Sequence, residues 1–293
     1  MAQADLLALD KSTEALRINA RKTDAFDIFN IKHYIGPNPY LDAAALVFDF
    51  AWTGYLEPRP LEDYVAAICD RYPELGDEKY KSHAQLFART VSEVGKLDME
   101  LHLDRWAIKP YENFVRVAVQ ALHARTQRSV VYAVWDWFEA ITHDQDFWFD
   151  EQFTTLQEMF RRSVYGGPTV YALLRTACDK GIPAFYLWDE GLMQYGYGKK
   201  QVRGVATTFD SDSHLDSDFT TRKDDCKAFL DTLGFPVPRG GIVSSYQEAL
   251  AVAERIGYPV AVKPVAGHKG IGVTAAVQNA DELEFAFDRA VDA

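Results

Sequence analysis

The sequence predicts two units of mixed structure: an α+β module over residues 1–163, then an α/β region over residues 164–293. Three observations carry this reading. The first half alternates strand-like and helix-like apolar patterns. Tyr165-Gly-Gly-Pro168 punctuates the chain near its middle. The last third ends in a short apolar run, a glycine loop and a second β-prone run.

In the first unit, Ala43–Trp52 and Ser129–Trp137 read as strands, and Phe114–Leu122 as a weaker third. Leu61–Cys69, Ala84–Leu101 and Phe153–Phe160 repeat apolar residues at helical spacing. No internal repeat or low-complexity tract occurs. Trp106, Trp135, Trp137 and Trp148 are candidates for a binding groove, although aromatic residues in such patterns are more often core.

Beyond the linker, Gly167-Pro-Thr opens a helix that Gly181-Ile-Pro closes, and Ala184–Trp188 reads as a strand. Lys223 opens a helix through Cys226, Phe229, Leu230 and Leu233, with Gly234 at the C-cap. Phe235-Pro-Val-Pro is extended, because proline disfavours helix in the residue before it. Ser245 starts an amphipathic helix that Gly257 ends, and an apolar strand leads into Lys263-Pro264. Gly267, Gly270 and Gly272 fall within six residues, and Ile271–Val277 returns as a strand.

Such a hairpin tip suits an anion. Glycine admits positive φ and close approach, and successive exposed N–H groups form a nest. Lys263, expected inside the strand, directs a cation toward the same space. Neither the Gly-x-x-x-x-Gly-Lys-Ser/Thr loop nor an ordered Gly-x-Gly-x-x-Gly leading into a helix is present.

Taken in order, Lys223, Gly234-Phe-Pro-Val-Pro-Arg-Gly240 and Gly257-Tyr-Pro-Val-Ala-Val-Lys-Pro264 resemble the start of an ATP-grasp ligase. The Gly-Pro-Thr helix, the Gly-Ile-Pro turn and Gly196-Tyr-Gly-x-x-Gln-x-Arg203 resemble the lead-in to that domain in cyanophycin synthetases. The resemblance implies that Lys223 and Lys263 contact ATP phosphates, with Gly267, His268, Lys269, Gly270 and Gly272 in a lid over them. It implies an ATP-dependent carboxylate–amine ligase that adds aspartate to a poly-aspartate/arginine polymer through an acyl-phosphate. Glutamate–cysteine or dipeptide ligases of the same superfamily, and a non-catalytic polymer-binding protein, are the alternatives.

The fold so implied is the ATP-grasp lead-in and first lobe over 164–293, behind a polymer-holding module over 1–163. The second lobe, with the adenine hinge and the acidic magnesium ligands, is expected outside this chain. So is the domain that adds arginine. The 293 residues by themselves are therefore expected to be ligase-inactive. No catalytic residue or metal ligand is assigned. Expected partners are aspartate, arginine and the peptide polymer, without nucleic acid or membrane, in a cytoplasmic homo-oligomer.

Two positions depart from the resembled pattern. Ile271 stands where typical members have arginine, and an apolar chain supplies no guanidinium; Lys269 offers a neighbouring charge. Some members cut polymer with a His-x-x-Glu-His zinc site. The matching places hold Ser92, Gly95 and Lys96, which supply no imidazole or carboxylate. His102, His123 and His143 have no metal-ligand spacing.

Composition excludes broad classes. A net charge of -12 argues against non-specific nucleic-acid or anionic-membrane binding. No apolar run reaches the roughly 18 residues a bilayer span needs. The N-terminus lacks the basic start and apolar core of a signal peptide. Cys69, Cys178 and Cys226 are far apart and read as reduced structural residues.

Overall fold

The computed structural model describes residues 19–99, 101–163, 167–187, 191–265 and 270–292. It divides into a first unit ending at Phe209 and a second beginning at Asp210.

The first unit is built on β1 (Phe26–Tyr34), β2 (Ala45–Trp52), α1 (Leu61–Arg71), α2 (His83–Val94), β3 (Trp106–Pro110), β4 (Val115–Gln120), α3 (Ala124–Thr142) and α4 (Phe149–Ser163). The four strands form one antiparallel sheet in the order β1-β2-β4-β3. Alternation along a strand sends every second side chain to one face. Phe26, Ile28, Leu46, Phe48, Phe50, Val117 and Val119 thereby join a single buried core with Phe87, Val91 and Phe138 of the helices.

The expected strand at Ser129–Trp137 is instead the middle of the α3 helix. Val130, Val131, Val134 and Phe138 recur at helical spacing and are all buried. The β-branched and aromatic composition imitated a strand, but the burial period is that of a helix. His123 caps the start of α3 by accepting from the Thr126 amide at 3.3 Å. From the far side of α3, the buried Glu139 carboxylate accepts from the Ala25 and Phe26 amides at 3.0 and 2.8 Å. That bond pair ties the helix to the start of β1.

The unit continues through α5 (Pro168–Asp179), β5 (Ala184–Tyr186), β6 (Leu192–Tyr195), β7 (Val202–Val205) and β8 (Thr208–Phe209). The four strands make an antiparallel meander. The compact boundary lies at 209/210, rather than at the expected 163/164. Val170, Leu174, Tyr186 and Met193 share the core of Phe160 and Val119, and the Tyr186 amide donates to Leu122 O at 2.8 Å. Tyr165-Gly-Gly-Pro168 breaks a helix pattern but says nothing about which core the next helix joins. Trp188, at the end of the expected strand, lies outside the described residues.

The four tryptophans do not share a groove. Trp135 and Trp137 are buried, Trp106 packs half-buried against the same core, and Trp148 is 73% exposed.

Burial holds the His83 and His33 imidazoles below the usual histidine range, with the His123 charge adding to the effect on His33. His83 Nε2 lies 3.0 Å from Arg59 O, so the neutral ring donates there. A depressed pKa means that unfolding takes up protons once pH falls below about 6.5. Stability is therefore full above that pH and declines as pH drops toward the folded values. We expect the thermal midpoint to fall between pH 7 and pH 5.5, and His83→Gln to flatten part of that slope. Parallel pH profiles for the two proteins contradict this assignment.

The second unit comprises α6 (His214–Thr221), α7 (Lys223–Thr232), α8 (Tyr246–Ile256), β9 (Val260–Val262), β10 (Thr274–Val277) and α9 (Ala280–Val291). The antiparallel β9–β10 hairpin is covered by α8 and α9 through Ala249, Ala253, Val277, Leu283 and Ala286. Gly234, at φ +80°, ends α7 in a Schellman turn: its amide donates to Asp231 O, and that of Phe235 to Leu230 O. Ser245 and Asn279 cap α8 and α9 by accepting from the Glu248 and Glu282 amides.

Candidate phosphate-binding site

The hairpin places its loop beyond β9, next to Lys263 in the chain and within reach of Lys223. Lys223 is the first residue of α7, and its Nζ lies 3.5 Å from Pro264 O and 3.4 Å from Val265 O. An ammonium 41 positions upstream is thus held at the root of the glycine loop. Lys263 follows β9 immediately rather than lying inside it, and its side chain is exposed. The strand ends at Val262 because Pro264 has no amide to continue a ladder.

At the far end of the loop, Gly270 and Gly272 take φ of +74° and +69°. These left-handed conformations are cheap for glycine and strained for other residues. A side-chain carbon added at Gly270 would meet nothing within 4 Å, so the space over this backbone is open. Gly267, His268 and Lys269 lie outside the described residues. Ile271 is 58% exposed and adds no charge.

Sequence reasoning passed over Lys227, one turn beyond Lys223 on the same helix. Its Nζ would lie 3.2 Å from a side-chain carbon built at Gly240, against the extended segment. The Lys223/Lys227 spacing of four residues was the available signal.

The described residues thus bring Lys223 Nζ to Pro264 and Val265, with exposed Lys263 next to them in the chain and two glycines of positive φ beyond. Among the described residues no cluster of three His, Cys, Asp or Glu side chains could hold a metal ion. Asp281 and Glu284 are exposed on α9, and Glu282 is engaged at its cap, where it accepts from the Gln278 amide.

The places matching the polymer-cutting zinc motif belong to a different kind of structure. Ser92 Oγ donates to Leu103 O at 2.7 Å, and Lys96 pairs with Glu93 and Asp104 at 3.0 and 2.7 Å. A side-chain carbon at Gly95 would come 2.9 Å from the Gln127 amide group, so the site has no room for a longer ligand. In the lead-in region, Arg203 donates to Gln194 Oε1 at 3.0 Å across β6 and β7, and that same amide donates to Gly196 O. These two residues therefore shape the meander.

Residues 222–293 match the family model described as carbamoyl-phosphate synthase L chain, ATP binding domain. This segment spans Lys223, Lys263 and the glycine loop. The chain is similar to the cyanophycin synthetase of Trichormus variabilis, at 30% identity over 142 residues, covering 48% of this chain and 16% of the relative. It is 34% identical over 125 residues to that of Geminocystis herdmanii, covering 42% and 14%. The carbamoyl phosphate synthase large chain of Methanospirillum hungatei JF-1 is 49% identical over 47 residues, 16% of this chain and 4% of the relative. The chain spans about one sixth of the length of the cyanophycin synthetases it matches. No helix among the described residues is long and apolar enough to cross a membrane.

Proposed function

We propose that this chain provides the triphosphate-gripping part of an ATP-dependent carboxylate–amine ligase of the cyanophycin synthetase kind. The observation that carries the reading is the approach of Lys223 Nζ to Pro264 O and Val265 O, which brings two cations to one glycine hairpin. In this reading Lys263 and Lys223 hold the β- and γ-phosphates, and the glycine amides close over them. Neutralising the transferring phosphoryl group is largely electrostatic work.

ATP would phosphorylate the carboxylate at the end of a growing peptide. The amine of aspartate would then displace phosphate. Magnesium, when bound, would supply further neutralisation of the phosphates; no described residue is assigned to it. The first 163 residues would hold the polymer, and the assembly would act in the cytoplasm as a homo-oligomer.

The short match to carbamoyl phosphate synthase large chains supports the ATP-binding half of the reading more than the choice of amino acid. Product analysis of the protein as isolated from its cells, with aspartate, arginine, glutamate and cysteine each offered, separates the ligases. We expect ATP-dependent incorporation of aspartate. ATP turnover with only glutamate and cysteine sinks the cyanophycin assignment. Polymer capture that ignores ATP and survives Lys263→Ala points to a non-catalytic binding protein.

A further inference from the structure

We propose that the first unit carries a second ligand site, for a small organic carboxylate with an apolar body, in the cavity between α5 and the segment leading into β3. This cavity has a volume of about 550 Å³, within the range of small-molecule pockets. Its floor is apolar: Leu101, Leu103, Leu122 and Leu174 line it and are each buried. The proposal is independent of the phosphate-binding loop, which belongs to the second unit.

The charged groups of the lining are Arg105 and Arg175 against Asp42 and Asp104, and Arg105 is the cation whose hydrogen bond fixes it there. Its Nη1 donates to Asp42 O at 2.7 Å, which fixes the guanidinium while leaving further N–H groups of the fork for a ligand. Arg105, Tyr197 and Cys178 all line the cavity. The nearby Asp104 is paired with Lys96 at 2.7 Å, and its negative charge is thereby offset. A carboxylate meeting a guanidinium fork is the pairing this geometry favours.

Tyr197 supplies an independent observation. Gly36 takes φ +108°, and a side-chain carbon there would lie 3.2 Å from Tyr197 Cε1, so the ring packs directly on backbone. The ring also stacks on Phe185, with centroids 5.9 Å apart. The hydroxyl so pinned is buried and has no hydrogen-bond partner among the described residues. A buried hydroxyl without a partner is unfavourable, and a small shift of the ring that brings it to a ligand oxygen would satisfy it.

Cys178 lines the cavity and is exposed, so it reports occupancy. Burial and the Asp179 carboxylate push its thiol up, and alkylation is best followed at pH 9. The probe pair is 3-phenylpropionate and its neutral isostere 3-phenylpropanamide, with Cys226 of the same protein as internal standard. For a dissociation constant on the order of 1 mM, about 10 mM acid slows iodoacetamide labelling of Cys178 by about tenfold relative to Cys226. The amide leaves the ratio unchanged. Arg105→Gln abolishes the preference for the acid. Tyr197→Phe weakens protection while leaving the thermal midpoint of the unliganded protein equal or higher, since an unpartnered hydroxyl is removed, which separates recognition from folding. Equal protection by acid and amide, protection by neither, or acid protection that survives Arg105→Gln overturns the proposal.

Discussion

Lys263→Ala weakens ATP binding by about 10- to 100-fold, the loss expected when a charge-assisted contact of roughly 1.5–3 kcal/mol disappears. The side chain is exposed at the end of β9 and makes no packing contribution to the small core of its unit. Thermal stability should therefore stay within about 0.5 kcal/mol of the parent, as for other surface substitutions. Lys223→Ala gives a smaller loss of affinity. Its ammonium touches the loop root through two carbonyl oxygens, so the change also loosens the loop. Calorimetric titration with a non-hydrolysable ATP analogue distinguishes the two variants. Unchanged affinity in Lys263→Ala removes the phosphate role from that residue.

Arg116→Ala is expected to destabilise the first unit by on the order of 3 kcal/mol, because it strands a buried carboxylate. Asp49 is fully buried in β2, and Arg116 of β4 grips it with Nε at 2.7 Å and Nη2 at 3.0 Å. Asn30 adds one bond at 2.9 Å, which cannot replace the charge. The Arg116 guanidinium is itself held charged, first by its bond to Asp49 and then by the Tyr40 hydroxyl. A loss of this size lowers the thermal midpoint by roughly 10 °C in a unit of this length. Arg116→Lys should fall between, since an ammonium keeps the charge but not the fork. Combining Arg116→Ala with Asp49→Leu should recover much of the loss, because no buried charge is then left unpaired. If the single and double substitutions are equally destabilised, the ion pair is not what holds these strands.

Past the α6 helix, which was not read, the second unit was legible in order from Lys223 onward: helix, extended segment, helix, strand, glycine loop, strand, helix. Its signals are local, since Gly234, Ser245 and Gly257 act on their own backbone. In the first unit, β2 and β4 were readable from alternation, whereas β1 was not. Asp27, Asn30 and Lys32 interrupt its apolar pattern, and the register shifts between Phe29 and Lys32, where Asn30 takes φ +53°. The short β3 ends in Pro110, which suits an edge strand and hides it from propensity rules. The α3 helix was misread because composition was weighed above period.

For the site, the glycines and Lys263 were visible as a cluster in sequence. The place of Lys223 was not: nothing local links it to Pro264, and only the ordered resemblance to ATP-grasp ligases joined them. The pinned Tyr197 hydroxyl and the cavity under Arg105 depend on packing between segments far apart in the chain. No periodicity or motif reports such a meeting.

Affinity labelling with an ATP acyl-phosphate tests the central claim most directly, since it acylates lysines that lie beside the bound phosphates. Carried out on the protein from its native cells and mapped by peptide mass, labelling should fall on Lys263 and Lys223 and be suppressed by excess ATP. Labels that fall elsewhere, or that persist on these lysines in excess ATP, contradict the assignment of this hairpin to nucleotide.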